Sequence, residues 1–219
     1  ARTAGNIANL LNTDRIEQID EVDGSFSLKA TYLLDANSFI ELTGGYAFNS
    51  LDRYDPYLKD NFMAYGDSAA NAAVGFVWDR RPAGSTGPLP YTRQPNYNIF
   101  GFAFNAPGDV VAGYQKYDRS NMNFNLAFST LLAKVHSFKV GGELQSYTIR
   151  NYSLGNEAAF ALAGLFANLA PGQTQEDVLI NRGVNNYGYD VFGNEYTGDD
   201  PVDKAHQPLF AAFYIQDKM

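Results

Sequence analysis

Residue types that could do chemistry are few in this sequence, and the clearest group is acidic. Asp199, Asp200 and Asp203 stand close together, and their carboxylate oxygens are hard ligands of the kind that Ca²⁺ prefers. Their spacing is not that of an EF-hand, and a solvated acidic loop is the competing interpretation. The HExxH, GxSxG, P-loop and Rossmann glycine patterns do not occur. We therefore predict no catalytic residue, no enzyme activity, no cofactor and no metal site beyond this calcium candidate.

Aromatic and cationic side chains supply the candidate ligand-binding residues. Trp78, Arg80 and Arg81 could hold a ligand by stacking and charge, while packing of the loop with a salt bridge is the alternative. A second aromatic group could form a sugar- or peptide-binding surface, or could pack one long loop onto its neighbour. Its members are Tyr187, Tyr189, Phe192 and Tyr196. We expect His136 and His206 to be solvated or structural rather than metal ligands.

The composition excludes several classes of protein. The chain has 219 residues, enough for one or two domains, and its net charge of -8 disfavours a nucleic-acid partner. It has no cysteine, which excludes disulfides and thiolate metal sites. No run approaches the roughly 18 apolar residues of a transmembrane helix, and the first residues do not resemble a signal peptide. The 15 tyrosines and 16 phenylalanines against one tryptophan indicate an aromatic-rich β protein.

Five stretches alternate between apolar and polar or small residues with the period of two that is typical of a strand. The first two, about 24–35 and 38–50, flank a short turn rich in turn-forming residues, which predicts an antiparallel hairpin. The other three stretches are about 119–133, 137–152 and 207–219. Asparagines alternate along 121–125, and their face should meet water because a core would not accept them unpaired.

Two long stretches separate these strands. The loop at 51–118 has six of the nine prolines, and its apolar pieces Val74–Trp78 and Ile99–Phe104 could pair as small strands. The loop at 153–206 predicts an apolar helix at 156–170, which Pro171-Gly172 would end, and a helical turn at Thr174–Leu179.

Thr174 is the expected cap of that helical turn, with Asp177 at its third position. Residues 1–23 are expected to form a solvated loop that leads into the first strand. One helical turn could form within it around Ile7, Leu10 and Leu11.

The order of the connections favours one architecture. They run long, short, long, short, long, so the two ends of an up-and-down sheet carry very different loops. Long strands with one apolar face and one polar or small face are typical of an outer-membrane β-barrel with short periplasmic turns and long external loops. Five strands cannot close such a barrel, which needs about eight or more. We therefore expect residues 1–219 to be part of one barrel domain, cut from a longer protein at both ends.

Two segments carry a resemblance to a known family. HSFKVGGELQSYTIRNYS and FAAFYIQDKM resemble the barrel of TonB-dependent outer-membrane receptors, most closely the long-looped, Oar-like type. In that family a strand ending in Tyr-x-Gln-Asp, here Tyr214, Gln216 and Asp217, commonly follows a long external loop. The resemblance covers most of 24–153 and 207–219. It implies a barrel of about 22 strands with an N-terminal plug, and neither that plug nor a TonB box is recognisable in this sequence.

The resemblance also implies a function and a location. The chain would be a fragment of a TonB-dependent receptor in the outer membrane of a Gram-negative bacterium, which binds a ligand with its external loops and imports it through a plugged barrel. Its partners would be outer-membrane lipid, its own plug domain and remaining strands, TonB, and a surface lipoprotein or an extracellular ligand. Two alternatives stay open. One is a non-transporting outer-membrane adhesion or structural protein, and the other is a soluble β-sandwich or secreted enzyme domain.

Overall fold

The structure is a computed structural model that describes residues 7–78, 84, 89–132 and 135–218. The strands are β1 (Gln18–Leu33), β2 (Ser38–Tyr54), β3 (Tyr97–Ile99), β4 (Phe102–Phe104), β5 (Tyr114–Leu132), β6 (His136–Leu154), β7 (Asn185–Tyr187) and β8 (Leu209–Lys218). The helices are α1 (Ser68–Ala73), α2 (Asn156–Ala167) and α3 (Gln175–Asn181), and short 3-10 turns are Ile7–Asn9, Thr13–Arg15 and Phe62–Ala64. In the described ranges, no helix is long and apolar enough to cross a membrane.

Six of the strands form one sheet. The order is β1-β2-β5-β6, and both β7 and β8 pair with the far side of β6. β8 pairs antiparallel with β6 from Ser137↔Lys218 to Ser146↔Leu209, and β3 and β4 form a separate antiparallel hairpin. The prediction of an antiparallel all-β protein is confirmed. Across the residues that the structure describes the sheet is open rather than closed on itself, so the barrel stays a prediction.

The chain divides into two compact units by its internal contacts. We call residues 22–50, 118–150 and 205–219 the sheet unit, and residues 1–21, 51–117 and 151–204 the loop unit. Four of the long strands contribute residues to both.

The sheet unit has one continuous apolar face. Directly paired residues of antiparallel strands share a face, and the pairs Val140↔Ile215 and Leu144↔Ala211 therefore put the apolar positions of β6 and β8 together. Two shallow apolar grooves extend this face over β1, β2 and β5, and both are lined by Phe124. The apolar face spans all five long strands, as the alternation of the sequence predicts.

The opposite face of the sheet unit is polar. Lys29 on β1 pairs with Glu41 on β2, and Lys139 on β6 approaches the same carboxylate within 3.6 Å. Gly45 makes room for an asparagine on this face, because a Cβ there would lie 2.9 Å from the side-chain amide of Asn123. These charges and amides come from positions that the sequence assigned to the polar side of each strand.

The loop unit has its own core, made largely of aromatic side chains. Phe62 stacks on Tyr114 with ring centroids 4.4 Å apart and lies 5.5 Å from the ring of Tyr152. The helix α2 packs on the 3-10 turn of Phe62 and on α3, and it contributes the buried side chains of Phe160 and Leu162. The two long loops of the sequence are therefore folded segments that share a core.

Several predicted strand boundaries were too short at the ends that enter the loop unit. β1 begins at Gln18 rather than 24, so the predicted loop over 1–23 is wrong for its last six residues. β2 continues to Tyr54, β5 begins at Tyr114 and β6 continues to Leu154. The backbone ladder persists there although charged and polar side chains remove the alternation, because strand pairing rests on main-chain hydrogen bonds.

Within the loops, some predictions hold and others do not. Thr174 and Asp177 form the predicted capping box of α3. The helix α2 ends earlier than 170, because Asn168 caps it by donating from Nδ2 to the carbonyl of Gly164 at 2.8 Å. The two pieces do not pair with each other. Val74–Trp78 forms no strand, and Ile99–Phe104 contains the last residue of β3, the turn and all of β4.

Candidate functional site

A polar cleft of 440 Å³ lies in the loop unit, where β2 and β6 end and where β5 and α2 begin. The side chains that line it and carry polar groups are Glu17, Arg53, Tyr114, Gln115, Ser153 and Asn156. Such a volume is in the range of small-molecule sites. The lining differs from most such sites because polar groups dominate it.

The strands explain why these side chains converge. Arg53, Gln115 and Ser153 occupy odd-numbered positions of β2, β5 and β6. Alternate residues of a strand point to the same side, and the odd positions of these strands also carry Glu41 and Lys139. The cleft residues therefore continue the polar parity of the strands into the loop unit.

The cleft holds charges of both signs. The Nη1 atom of Arg53 lies 3.9 Å from Oε1 of Glu17, and the Arg53 side chain is 39% exposed. A long, partly exposed ion pair contributes little to stability. Its two charged groups can therefore exchange this contact for a ligand at small cost.

The start of α2 adds a second polar wall. Gly155, at the N-cap, offers no side-chain cap, and the side chain of Asn156 accepts the Glu157 N–H at 2.9 Å. A Cβ at Gly113 would lie 2.7 Å from the carbonyl oxygen of Leu154. Glycine at that position lets the starts of β5 and α2 approach closely and form the cleft.

A buried ion pair lies close in sequence to Glu17 and Arg53, the two charged residues of the cleft. Arg15 Nε donates to Asp55 Oδ2 at 2.8 Å, and both side chains are fully buried. Arg15 also donates to Asn71 Oδ1 at 2.9 Å and lies 4.5 Å from the centre of the Phe76 ring. Arg15 lies two residues before Glu17, and Asp55 lies two residues after Arg53. The ion pair therefore fixes the N-terminal segment against the end of β2.

A second buried acid lies elsewhere in the loop unit. Asp109 is fully buried, and burial raises the pKa of its carboxyl group to about 6 against an opposing effect of Arg93. The Asp109 carbonyl accepts from Asn12 Nδ2 at 2.6 Å. Asp109 does not line the cleft, and the raised pKa makes the stability of the loop unit depend on pH.

The predicted group around Trp78 is only partly described. Trp78 is partly buried, its ring stacks on Phe160 at 5.6 Å, and its Nε1 donates to the carbonyl of Gly108 at 3.3 Å. These contacts are those of a packing residue. Arg80 and Arg81 lie outside the described residues.

The predicted tyrosine group does not form one exposed surface. Tyr189 is buried in the core, with its ring 6.4 Å from that of Tyr152. Tyr187 and Tyr196 are half-buried, and burial raises the pKa of the Tyr187 hydroxyl. Phe192 packs against the same core. The tyrosines stabilise the second long loop in this arrangement.

The aspartate and histidine candidates form no metal site. Asp203 accepts from Asn186 Nδ2 at 2.7 Å, and Asp200 accepts from the Val202 N–H at 2.8 Å. His136 Nδ1 lies 3.0 Å from Asp217 Oδ2 at an exposed position, and the main chain of His206 pairs with that of Ile149. Within the described part of the chain, no three acidic, histidine or cysteine side chains are grouped to hold a metal. The structure gives the calcium candidate, with Asp199 included, no support.

The residues of the cleft were missed from the sequence. Arg53 and Gln115 lie beyond the predicted strand ends, and Glu17 was assigned to a solvated loop. The available signal was parity, because Arg53 continues the odd positions that carry Glu41 and Gly45 along β2.

No family model matches this chain, and neither a curated protein nor a solved structure matches it.

Proposed function

We propose that this chain is part of a TonB-dependent receptor in the outer membrane of a Gram-negative bacterium. The sheet unit contributes strands to the barrel wall, and the loop unit binds a ligand outside the cell. One observation carries the proposal, namely the apolar face that spans all five long strands and lies open. Phe213 on this face is 90% exposed and Phe26 is 68% exposed.

Lipid is the environment that suits this face. Soluble monomers rarely expose contiguous apolar patches larger than a few hundred Å², and burial in an apolar phase gains roughly 25 cal/mol per Å². The opposite face carries Lys29, Glu41 and Lys139, whose charges are costly in hydrocarbon. A barrel satisfies both faces, since it turns one to lipid and the other to a water-filled lumen.

The cleft supports a small, hydrophilic ligand. Its opposite charges on Arg53 and Glu17 and the amides of Gln115 and Asn156 can bind a polar molecule that carries both donors and acceptors. An apolar ligand would leave these groups unpaired at a cost of about 1–3 kcal/mol each. The remaining partners that we propose are outer-membrane lipid, a plug domain, further barrel strands, TonB, and a surface lipoprotein or other external ligand.

Two neighbouring positions on β8 test the membrane part of the proposal. Phe213 lies on the apolar face, and Ala212 lies on the polar face opposite Glu143. A lysine on the lipid face costs about 2–4 kcal/mol near the middle of a membrane. We expect Phe213→Lys to reduce strongly the amount of full protein assembled in the outer membrane and Ala212→Lys to leave it near the unsubstituted level. Equal assembly of the two variants would contradict the proposal.

A second experiment separates a transporter from an adhesion protein. The purified periplasmic domain of TonB is mixed with the full protein in detergent, and binding is measured by light scattering. We expect a complex if the protein is an energised receptor. Its absence, with membrane assembly intact, would favour the alternative of a non-transporting outer-membrane adhesion or structural protein.

A further inference from the structure

The β3–β4 hairpin of the loop unit has an unusual composition. We call residues 97–104, with the sequence YNIFGFAF, the aromatic finger. It contains four aromatic residues and no charged residue. The two strands are joined by the residue pair Phe100-Gly101.

The turn of the finger is strained by its first residue. Phe100 has φ 51° and Gly101 has φ 83°. Two consecutive positive φ values are the geometry of a tight hairpin turn in which Asn-Gly is strongly preferred. A bulky side chain in this left-handed region costs roughly 1–2 kcal/mol.

Among the described residues, the Phe100 side chain gains no burial that would offset that cost. Its ring is 97% exposed, the largest exposure among the large apolar residues of the described chain. Neither backbone preference nor burial explains a phenylalanine at this position. Strained residues of this kind cluster at functional sites, which directs attention to what the ring contacts outside the chain.

The neighbouring side chains extend the same apolar surface. Ile99 pairs with Phe102 and Tyr97 pairs with Phe104, so all four lie on one face of the hairpin. Phe104, at the base, is 8% exposed, whereas Phe102, next to the turn, is 60% exposed. The base of the finger is therefore buried, and its tip is exposed.

The base of the finger is held firmly. Asn105, the residue after β4, donates its N–H to the carbonyl of Ala8 at 2.7 Å, and its side-chain amide donates to Asn9 Oδ1 at 2.5 Å. The base of the finger is therefore held in place before any partner arrives. Such preorganisation lowers the entropy cost of binding.

We propose that the aromatic finger is a docking anchor for another protein, and that Phe100 enters a concave apolar pocket of that partner. A protruding ring needs a host that surrounds it, and a small ligand cannot enclose a convex tip. The absence of charge on the finger calls for recognition by apolar fit rather than by ion pairs. This inference goes beyond the proposed receptor function and does not depend on it.

A lipid surface fits the finger less well. Fluid lipid accepts apolar side chains in any turn conformation, so it gives no reason for a strained one that fixes the direction of the ring. The net charge of -8 also disfavours approach to an anionic lipid surface. A phenylalanine side chain exposes on the order of 200 Å², far below a standard interface, so the ring acts as an anchor within a larger or transient contact.

Site-specific photocrosslinking tests the proposal. The photoreactive residue p-benzoylphenylalanine is placed at position 100, or at Asn98 on the other face of the finger, in the full protein made by intact cells. We expect irradiation to join position 100, and not position 98, to one discrete protein. Adducts with lipid alone, a crosslink to another segment of the same polypeptide alone, or no adduct at all would overturn the proposal.

The crosslinked protein is then purified, and its affinity is compared for the unsubstituted chain and for Phe100→Gly. We expect the glycine variant to bind at least about tenfold more weakly, as for an anchor residue at an interface. The same variant should melt at an equal or higher temperature, because glycine accepts a positive φ without strain. Unchanged affinity, or a lower melting temperature, would overturn the proposal.

Discussion

Aromatic side chains serve opposite purposes in the two units. In the loop unit, Tyr65 and Tyr152 are fully buried, whereas in the sheet unit Phe26 and Phe213 are exposed. The loop unit therefore carries its own hydrophobic core, while the sheet unit leaves its apolar surface for something outside the chain. We therefore expect internal packing to set the stability of the loop unit and the surroundings to set that of the sheet unit.

The buried ion pair of the loop unit is the contact whose loss should destabilise the chain most. Arg15→Ala leaves Asp55 buried without its cation, and such losses cost about 3–5 kcal/mol. We expect the loop unit to unfold at a much lower urea concentration. Its unfolding is monitored by the fluorescence of Trp78, the one tryptophan of the chain. Lys29→Ala is the matched control, since it removes the exposed pair with Glu41 and should cost at most about 1 kcal/mol.

A cavity in the core of the loop unit should also be more costly than the loss of an exposed side chain from the sheet unit. Leu162→Ala on α2 removes a fully buried side chain, and we expect a loss of about 2–5 kcal/mol in the free energy of unfolding. Phe213→Ala removes a larger side chain that is exposed, so it should leave the urea midpoint reported by Trp78 unchanged. Equal midpoint shifts for the two variants would show that the units do not differ as described.

The pH dependence of the loop unit tests its buried acid. Asp109 has a pKa of about 6 in the folded chain and an ordinary value of 3.8, so the folded state favours the protonated carboxyl. The associated stability is present below about pH 4 and is lost as the pH rises through 6. The loss is on the order of 3 kcal/mol.

Asp109→Asn should remove this dependence and make the loop unit more stable than the unsubstituted chain at pH 8. The two chains should differ much less at pH 4. Urea midpoints followed by Trp78 at both pH values provide the measurement, and parallel pH profiles of the two chains would contradict the assignment.

The smallest effect concerns a helix end at the edge of the loop unit. Thr174 and Asp177 form the capping box of α3, and these hydrogen bonds lower the pKa of Asp177. Thr174→Ala should cost about 1 kcal/mol and speed proteolysis of the segment 170–184, whereas Thr174→Ser should behave as the unsubstituted chain. No difference in cleavage rate between the two variants would contradict the role of the cap.

The sheet could be predicted from the sequence because its signal is local. Phe124, Val140 and Phe213 fall on one face by parity alone, and the observed register of β6 and β8 agrees with that parity. The first residues of β1 were not predicted as strand, because Asp20 and Glu21 place a charged side chain on each face there. Backbone pairing continues across them without any trace in the hydrophobic pattern.

The loop unit and its cleft could not be predicted because their signals are long-range. Arg15 and Asp55 are 40 residues apart, and the sequence alone does not show that they are in contact. Trp78 has the chemistry of a ligand-binding residue, but its stacking on Phe160 is decided by how two distant loops pack. The capping box of α3 was predictable since its two members are three residues apart.

If the apolar face of the sheet unit lies against lipid, successive residues of β8 should alternate between lipid and water. Single cysteines are placed at positions 211 to 216 of the full protein, in a background otherwise free of cysteine, and are labelled with a nitroxide after reconstitution into phospholipid vesicles; the 219 residues themselves contain no cysteine to replace. We predict that oxygen, which concentrates in lipid, relaxes the label best at 211, 213 and 215, and that a water-soluble nickel chelate relaxes it best at 212, 214 and 216. Uniform exposure to the nickel chelate at all six positions would contradict the account.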